Sequence, residues 1–594
     1  MANFGVVVDS DPSRREVTRR ALRQRIALYS HLEVQEAALG DVVLVWAVAP
    51  GAPGRIIRRE NDIILVLGHV VGDRADAEPD LNVVEDGFHI VIGISRTGVV
   101  QVRPDLLGIF PVYFTTLPTG GFMVASSPYL FHAHPDFRTA LELRAIVGLL
   151  YANTAVGGRS IYRGVKRLGS GRSLRYHHSQ GGRVDEVPVF QIPISDRLHY
   201  VAGAACVDAV ADSLADATRR HLEAAGGAPV TLMLSGGYDS RILAGVLASV
   251  GQKFRAVTLA QPGDVEAQCA ARVARALGVD HRLIDQPVAP EWFTVTLRWD
   301  ALITSPGTGG MWSMIDTYRG FGPWVVSGYV MDAIVSHYEK YDPVRRSSDF
   351  EAGFYLMNRS GFRHEVLARL LRPDRFGDAL REVHQEMVEE FVGTGDRDSD
   401  RSYRFPLHHR LRYHTGAPLW KQTLGTWPVA PFLDRSVLET VGACPLTLLA
   451  ERHLEQRLLR TRFPKLASLP LDRNAFRTLS LDPRLRELVM TEIRERSVAL
   501  LTRLSGGRWH RKERRQYHRS HNFNGPVWRW IRRSMEPHRD LAYQLFDRTT
   551  FDQLVPPAEA EWKGANSIEP AAGVKSLLGI IGWLREFSPE LPRA

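Results

Sequence analysis

The pattern of apolar and polar positions changes character near Asp196. From Phe4 to about Phe190 it is a series of short apolar runs between turn residues, VVLVWAV, IILVLGHVV, FHIVIGI, VYFTTL and GFMVAS. Runs of that length predict an antiparallel, β-rich domain. From Tyr200 to Ala225 an Ala-rich pattern of helical period takes over, followed by the apolar residues Val230, Leu232 and Leu234, a glycine turn and a helix-compatible stretch from Arg241 to Val250. A second strand-helix unit runs from Phe254 to Leu277. This alternation predicts a doubly wound α/β domain built on a parallel sheet. Beyond Asp342 the pattern is mainly helical, and the polar stretch GTGDRDSDRS at 393–402 is expected to be flexible. Two domains follow, residues 1–190 and 196–594. A length of 594 residues agrees, since it exceeds what one hydrophobic core supports.

Chemistry concentrates where the first of these parallel strands ends. The segment Val230 to Ser240 reads VTLMLSGGYDS. At Ser235, Gly236 and Gly237, two missing Cβ atoms let the backbone bend sharply and approach a ligand, so that successive N–H groups can converge on phosphate oxygens. The helix that follows, opening near Ser240, adds its positive end. Asp239 would repel a phosphate unless a divalent cation lay between them, which points to ATP with Mg²⁺. Tyr238 and Asp239 stand where a Walker A loop needs lysine, so a kinase-type P-loop is disfavoured. A bare glycine turn with a helix cap needs no ligand; the whole hexapeptide behind a buried strand favours the nucleotide. A second segment, WVVSGYVMD from Trp324 to Asp332, again runs strand, turn at Ser327-Gly328, then an aspartate at a helix start. Two such turns at the carboxyl ends of neighbouring strands face one crevice, so Asp239 and Asp332 can share the metal.

Composition narrows the classes. Hydrophobic residues at 44% and charged residues at 24% are ordinary globular values. No apolar run is long enough for a membrane span, and the N-terminus has no basic segment before its short apolar stretch, so a cytoplasmic protein with no membrane partner is expected. Cys206, Cys269 and Cys444 are too few and too scattered for a disulfide framework or a zinc site. The net charge of +9 is visible at 503–539, where RWHRKERRQYHR and VWRWIRRSMEPHR interleave arginine with Tyr517, Trp528 and Trp530. This reads first as a solvated helical face with tryptophan anchors and second as a surface for an acidic partner. No nucleic-acid partner is expected.

The hexapeptide Ser235 to Ser240 resembles the pyrophosphate loop of the ATP-pyrophosphatase superfamily, and WVVSGYVMD resembles the second motif of asparagine-synthetase-like proteins. VAPFLD at 429–434 is similar to a further segment of that family, with Trp427 and Val429 where the family has Glu and Arg. The first domain resembles the family's class II glutaminase half at RPDLLGIFPVYF (103–114), GFMVASSP (121–128) and YRGVKRLGSGRSLRY (162–176). The resemblance implies an α+β N-terminal-nucleophile-like fold followed by an α/β ATP-pyrophosphatase synthetase domain with a helical C-terminal part. It also implies roles: Ser235, Gly236, Gly237, Ser240, the Val257, Thr258 and Leu259 backbone and Gly328 around the nucleotide, and Asp239 and Asp332 on Mg²⁺. Tyr329, in a position that the β-lactam synthetase branch also fills with tyrosine, becomes the candidate base. A phenol needs a carboxylate partner to act so at neutral pH; Glu365 is the candidate, with Glu339, Asp342 and Glu351 as competitors. Arg473 falls about where the family has a lysine against pyrophosphate, and Lys465 or Lys421 could carry that charge instead.

One departure directs the reaction. The family's glutaminase needs a cysteine after the initiator methionine, and here Ala2 follows Met1, while the family's Asn-Gly-Glu substrate segment is reduced to Leu67-Gly68-His69. Glutamine-derived ammonia is therefore not expected. Adenylation with an amine supplied by the substrate itself is, and the resemblance is nearest to lasso peptide macrolactam synthetases. These join an Asp or Glu side chain of a precursor peptide to its N-terminus, which adds a leader-binding protein and a leader peptidase to the expected partners. A β-lactam-type small-molecule synthetase, an ammonia-dependent amidating enzyme and a non-catalytic scaffold are the alternatives.

Overall fold

The computed structural model describes residues 3–72, 85–199, 201–286, 290–307, 310–336, 350, 361–472, 478–505, 515–562 and 568–591. The apolar runs of the first half become strands of two six-stranded antiparallel sheets. One sheet is ordered Lys166–Arg167, Tyr113–Thr116, Phe122–Ala125, Asn3–Val8, Val42–Val48, Glu33–Leu39, and the other Arg183–Pro188, Arg172–His177, Val99–Pro104, His89–Ser95, Asp62–Gly68, Gly54–Arg58. Asn3–Val8 is buried along its whole length, which explains its continuous apolar character. It lies between Val42–Val48 and Phe122–Ala125, under helix Pro12–Ile26. Asp11 caps that helix by accepting from the Ser13 and Arg14 N–H groups.

Architecture changes between Pro188 and helix α1 (Gly203–Ala224). Five parallel strands follow: β1 (Val230–Met233), β2 (Phe254–Leu259), β3 (His281–Ile284), β4 (Trp324–Ser327) and β5 (Trp427–Val429). Their order is β3-β2-β1-β4-β5. The direction of winding reverses at β1, so the loops after β1 and β4 part to opposite faces and open a crevice between them. Helices α2 (Tyr238–Ser249) and α3 (Val265–Leu277) cover the sheet. In register, Met233 lies opposite both Val257 and Ser327, so β1 and β4 end level while β2 runs two residues further beside the crevice.

The two halves share one apolar core. Ser127 Oγ donates to the Trp299 carbonyl at 2.8 Å and Tyr29 OH to the Trp312 carbonyl at 2.7 Å. The long helix Ile568–Phe587 closes back on the first half, with Trp583 edge-on to Tyr162 at 5.0 Å. Among the described residues no helix is long and apolar enough to cross a membrane. Helix Leu485–Leu504 stands apart, with Leu485, Met490, Ile493, Leu500 and Leu504 exposed.

One expectation is overturned. The stretch 393–402 is not a continuous loop: Gly393 ends helix Ala379–Gly393, residues 394–397 form a short connection, and Asp398–Pro406 is helical. Arg397 pairs with Asp196 at 2.7 Å and Asp400 at 3.0 Å, and Arg404 donates to the Thr394 and Ile192 carbonyls. Charges that look solvated in sequence are partners across the fold.

Candidate active site

The turn after β1 has the geometry its glycines allow. Gly236 has φ +81°, and a Cβ there would lie 2.6 Å from Cys269 Cβ on α3, so only glycine fits. Gly237 differs: a Cβ would meet Ser235 Oγ at 3.4 Å and the Asp472 carbonyl at 3.7 Å, ordinary contacts that leave room for a close ligand. Ser240 Oγ accepts from the Ser235 N–H at 3.0 Å and fastens the turn. At the end of β4, a Cβ on Gly328 would come 2.8 Å from Asp239 Cβ. The two turns are therefore in contact, as the paired motifs require. Val330, buried and β-branched, takes φ +70° between Tyr329 and the helix Met331–Val335, a costly conformation of the kind found at functional sites.

Asp239 and Asp332 converge. Arg452 lies beside both, Nη1 at 3.7 Å from Asp239 Oδ2 and Nη2 at 3.9 Å from Asp332 Oδ2. Asp239 Oδ1 is buried and makes no hydrogen bond within the protein. Two hard carboxylates in reach of one cation, one with an unsatisfied oxygen, fit Mg²⁺ as a donor set. No group of three or more His, Cys, Asp or Glu side chains gathers as a metal site among the described residues, so phosphate and water would complete the shell. Glu455, fully buried, stands next to this pair; burial and the neighbouring Asp239 carboxylate push its carboxyl well above the usual range.

A cavity of about 630 Å³ extends from the turn. Where it meets the turn it is lined by Ser235, Asp239, Ser240, Val257, Thr258, Leu259, Gly328 and Asp332. Thr258 Oγ1 donates to the Leu234 carbonyl at 2.5 Å and lies 2.8 Å from His281 Nε2, tying β2 to both neighbours. The other end is aromatic, with Trp299, Trp312, Trp420 and Tyr413 joined by Tyr113 and Arg167 from the first half. In it Lys421 pairs with Asp300 at 2.7 Å and lies 4.9 Å from the Trp312 ring centre. Lys575, from the C-terminal helix, also lines the cavity; burial pushes its ammonium down to about 8.

The catalytic candidates fare unevenly. Tyr329 lines the cavity, but burial pushes its phenol up to about 12, and its hydroxyl faces Met311 Sδ at 3.8 Å rather than a carboxylate. Glu365 is not brought to it: it is exposed on helix His364–Leu370 and absent from the cavity wall. Glu339, Asp342, Glu351 and Arg473 lie outside the described residues. Of the alternative cations, Lys421 faces the cavity, whereas Lys465 donates to the Ala276 carbonyl on the far side of α3.

Residues the motifs do not flag hold the turn in place. Arg241, wholly buried, donates to the carbonyls of Gly236, Leu466, Leu469 and Pro470 at 2.7–3.0 Å, and the Asp472 N–H donates to the Gly236 carbonyl at 3.2 Å. The Arg-rich stretch closes over the same place. Arg515 pairs with Asp472, Arg519 with Asp264 at 2.5 Å, and Gln516 and His521 line the cavity. An arginine directly before the apolar run Ile242–Leu247 of α2 was the available signal for Arg241; nothing local marked the other contacts.

The comparison with known families agrees with this geometry. Residues 209–417, which hold β1 to β4 and both turns, match the asparagine synthase family. This is an asparagine synthetase-like domain. That family is one of ATP-dependent amide-forming ligases using Mg²⁺, and its synthetase domain is of the ATP-pyrophosphatase type. A search of curated proteins finds no match to the chain.

Around Leu67-Gly68-His69, residues of the second half fill the space. Trp427 Nε1 donates to the Phe88 carbonyl at 2.8 Å, and a Cβ on Gly68 would lie 2.5 Å from Trp427 Cζ2. His69 is buried against Trp324 and His221, with ring centres 5.1 and 5.4 Å away.

Proposed function

We propose that the protein is a lasso-type cyclase. It adenylates an Asp or Glu side chain of a linear precursor peptide with ATP and joins that carbonyl to the peptide's own N-terminal amine, releasing AMP and pyrophosphate. The observation that carries the reading is the coexistence of the Asp239–Asp332 crevice with an amidotransferase-like half that has Ala2 for its thiol and Trp427 packed at its glutamine segment. Such a chain can activate a carboxylate and must take the amine from elsewhere. An amine within the same substrate benefits most, because pre-oriented groups reach effective molarities of ~10⁵ M or more.

In this reading the substrate carboxylate attacks the α-phosphorus and the bond to pyrophosphate breaks. Ser235, Gly236, Gly237 and Ser240 hold the phosphates, and β2 with Gly328 flanks the adenine. Mg²⁺ held by Asp239 and Asp332 would neutralise phosphate charge. Lys421, whose charge Asp300 offsets in part at 2.7 Å, supplies the cation inside the cavity. The amine nitrogen then attacks the acyl carbon, the bond to AMP breaks, and the amine proton needs an acceptor. Lys575 suits that role better than Tyr329, since an amine near 8 accepts a proton at working pH and a phenol near 12 does not. A leader-binding protein and a leader peptidase would act beside the enzyme.

The second reading, a small-molecule lactam synthetase, is favoured by the cavity volume, which lies within the range of small-ligand pockets. One experiment separates them. The protein is incubated with Mg²⁺, ATP and either linear peptides with an acidic residue near the N-terminus or small amino diacids, and AMP, pyrophosphate and product mass are followed. Loss of one water from a peptide supports the cyclase, and the same loss from the small acid supports the second reading. Absence of AMP with every acid overturns both.

A further inference from the structure

We propose that Arg452 is a positioning residue for the metal pair: its guanidinium holds Asp239 and Asp332 facing one another until a divalent cation takes its place between them. This rests on reading that pair as the metal ligands.

Asp239 follows β1 and Asp332 follows β4, so the fold brings two carboxylates together from adjacent strand ends, where they repel. Arg452 answers that repulsion. Its two terminal nitrogens are divided between the carboxylates at 3.7 and 3.9 Å, and Nη1 also lies 3.3 Å from Glu455 Oε2. The distances to the aspartates exceed hydrogen-bond length, so the guanidinium acts as a shared charge rather than a bonded clamp. Its carbon stands 5.4 Å from the ring centre of Tyr238, which follows the two glycines of the turn. The side chain is 30% exposed and can withdraw toward solvent.

The backbone is built to put it there. Glu451 and Arg452 have φ +50° and +62°, two successive non-glycine residues in the left-handed region immediately before helix His453–Arg462. That conformation is unfavourable and persists only where surrounding contacts impose it. A divalent cation bound by the same two carboxylates would repel the guanidinium at this range, so the two cations exclude each other. Arg452 thereby keeps the ligands assembled and raises the concentration of free ion needed to occupy them.

The test uses the full-length protein with Mn²⁺ alone and no nucleotide, reading free Mn²⁺ by electron paramagnetic resonance and unfolding by calorimetry. Arg452→Ala is expected to bind Mn²⁺ at least about tenfold more tightly than wild type (about 1.4 kcal/mol). It should also unfold earlier in chelator and recover with Mn²⁺, while Arg452→Lys stays near wild type. Arg452→Gln removes the charge but keeps a polar side chain of intermediate length, and serves if the alanine variant does not fold. Equal or weaker Mn²⁺ affinity in the neutral variants overturns the proposal while leaving the metal reading intact, provided Asp332→Asn loses Mn²⁺. If Asp332→Asn binds Mn²⁺ as wild type does, the metal reading fails and the proposal with it.

Discussion

Two glycines with positive φ, Gly236 and Gly68, sit in the two halves of this molecule for opposite reasons. At the phosphate turn, Gly236 lets α3 pack close while its neighbour Gly237 keeps space above the backbone. At Leu67-Gly68-His69, the space a side chain would need is occupied by Trp427. One turn remains shaped for a ligand and the other is filled by protein. A glycine motif therefore reports a function only together with what stands against it.

The sharpest way to break this contrast is at the open turn. Asp239→Ala or Asp332→Ala should lower pyrophosphate release by about 10²–10³-fold or more, the scale of losing one fixed electrostatic group at a reacting phosphate. Unfolding temperature should change little, since both groups are partly exposed. Near-normal turnover would remove the metal assignment. At the filled turn the expected loss is of stability instead. Trp427→Ala should cost roughly 3–5 kcal/mol in chemical denaturation, the range for deleting a buried tryptophan, with ATP binding retained wherever the protein is folded.

Smaller effects separate the two candidate bases. Turnover should rise with pH as Lys575 loses its proton near pH 8 and then level off. Lys575→Gln should lower the rate about 10²-fold, within the usual contribution of a general base, and abolish that rise. Tyr329→Phe should keep it, because a phenol near 12 stays protonated throughout the range. A pH rise lost in Tyr329→Phe and kept in Lys575→Gln would reverse the assignment. The smallest expected effect is none: Ala2→Cys should leave glutamate release from glutamine at background, because a thiol at position 2 does not move Trp427 from Gly68.

Much of the fold was legible because it is local. The apolar runs became the strands of the antiparallel half, and the strand-turn-helix units appeared within a few residues of their expected limits, as Val230–Met233 with Tyr238–Ser249 and Phe254–Leu259 with Val265–Leu277. The shape of the turn after β1 was legible for the same reason, since glycine freedom, strand burial and the helix start all belong to consecutive residues. The base partner was not. Glu365 has suitable spacing in sequence, but its helix presents it to solvent, and no spacing rule contains that orientation. The stretch 393–402 misled in the same manner, because Arg397 within it pairs with Asp196, far earlier in the chain.

The chain's order alone thus specifies a glycine turn between strand and helix, an aspartate after each of two strands, and alanine at position 2. Packing specifies the rest: that β1 and β4 lie side by side, that Arg241 ties the turn to residues 466–470, that Trp427 fills the space at Gly68, and that Arg452 and Lys575 arrive at the crevice and cavity from distant helices. The division has one cause. Backbone conformation and periodicity are set by neighbours along the chain, whereas charge pairing and burial depend on groups that meet only after hundreds of intervening residues have folded.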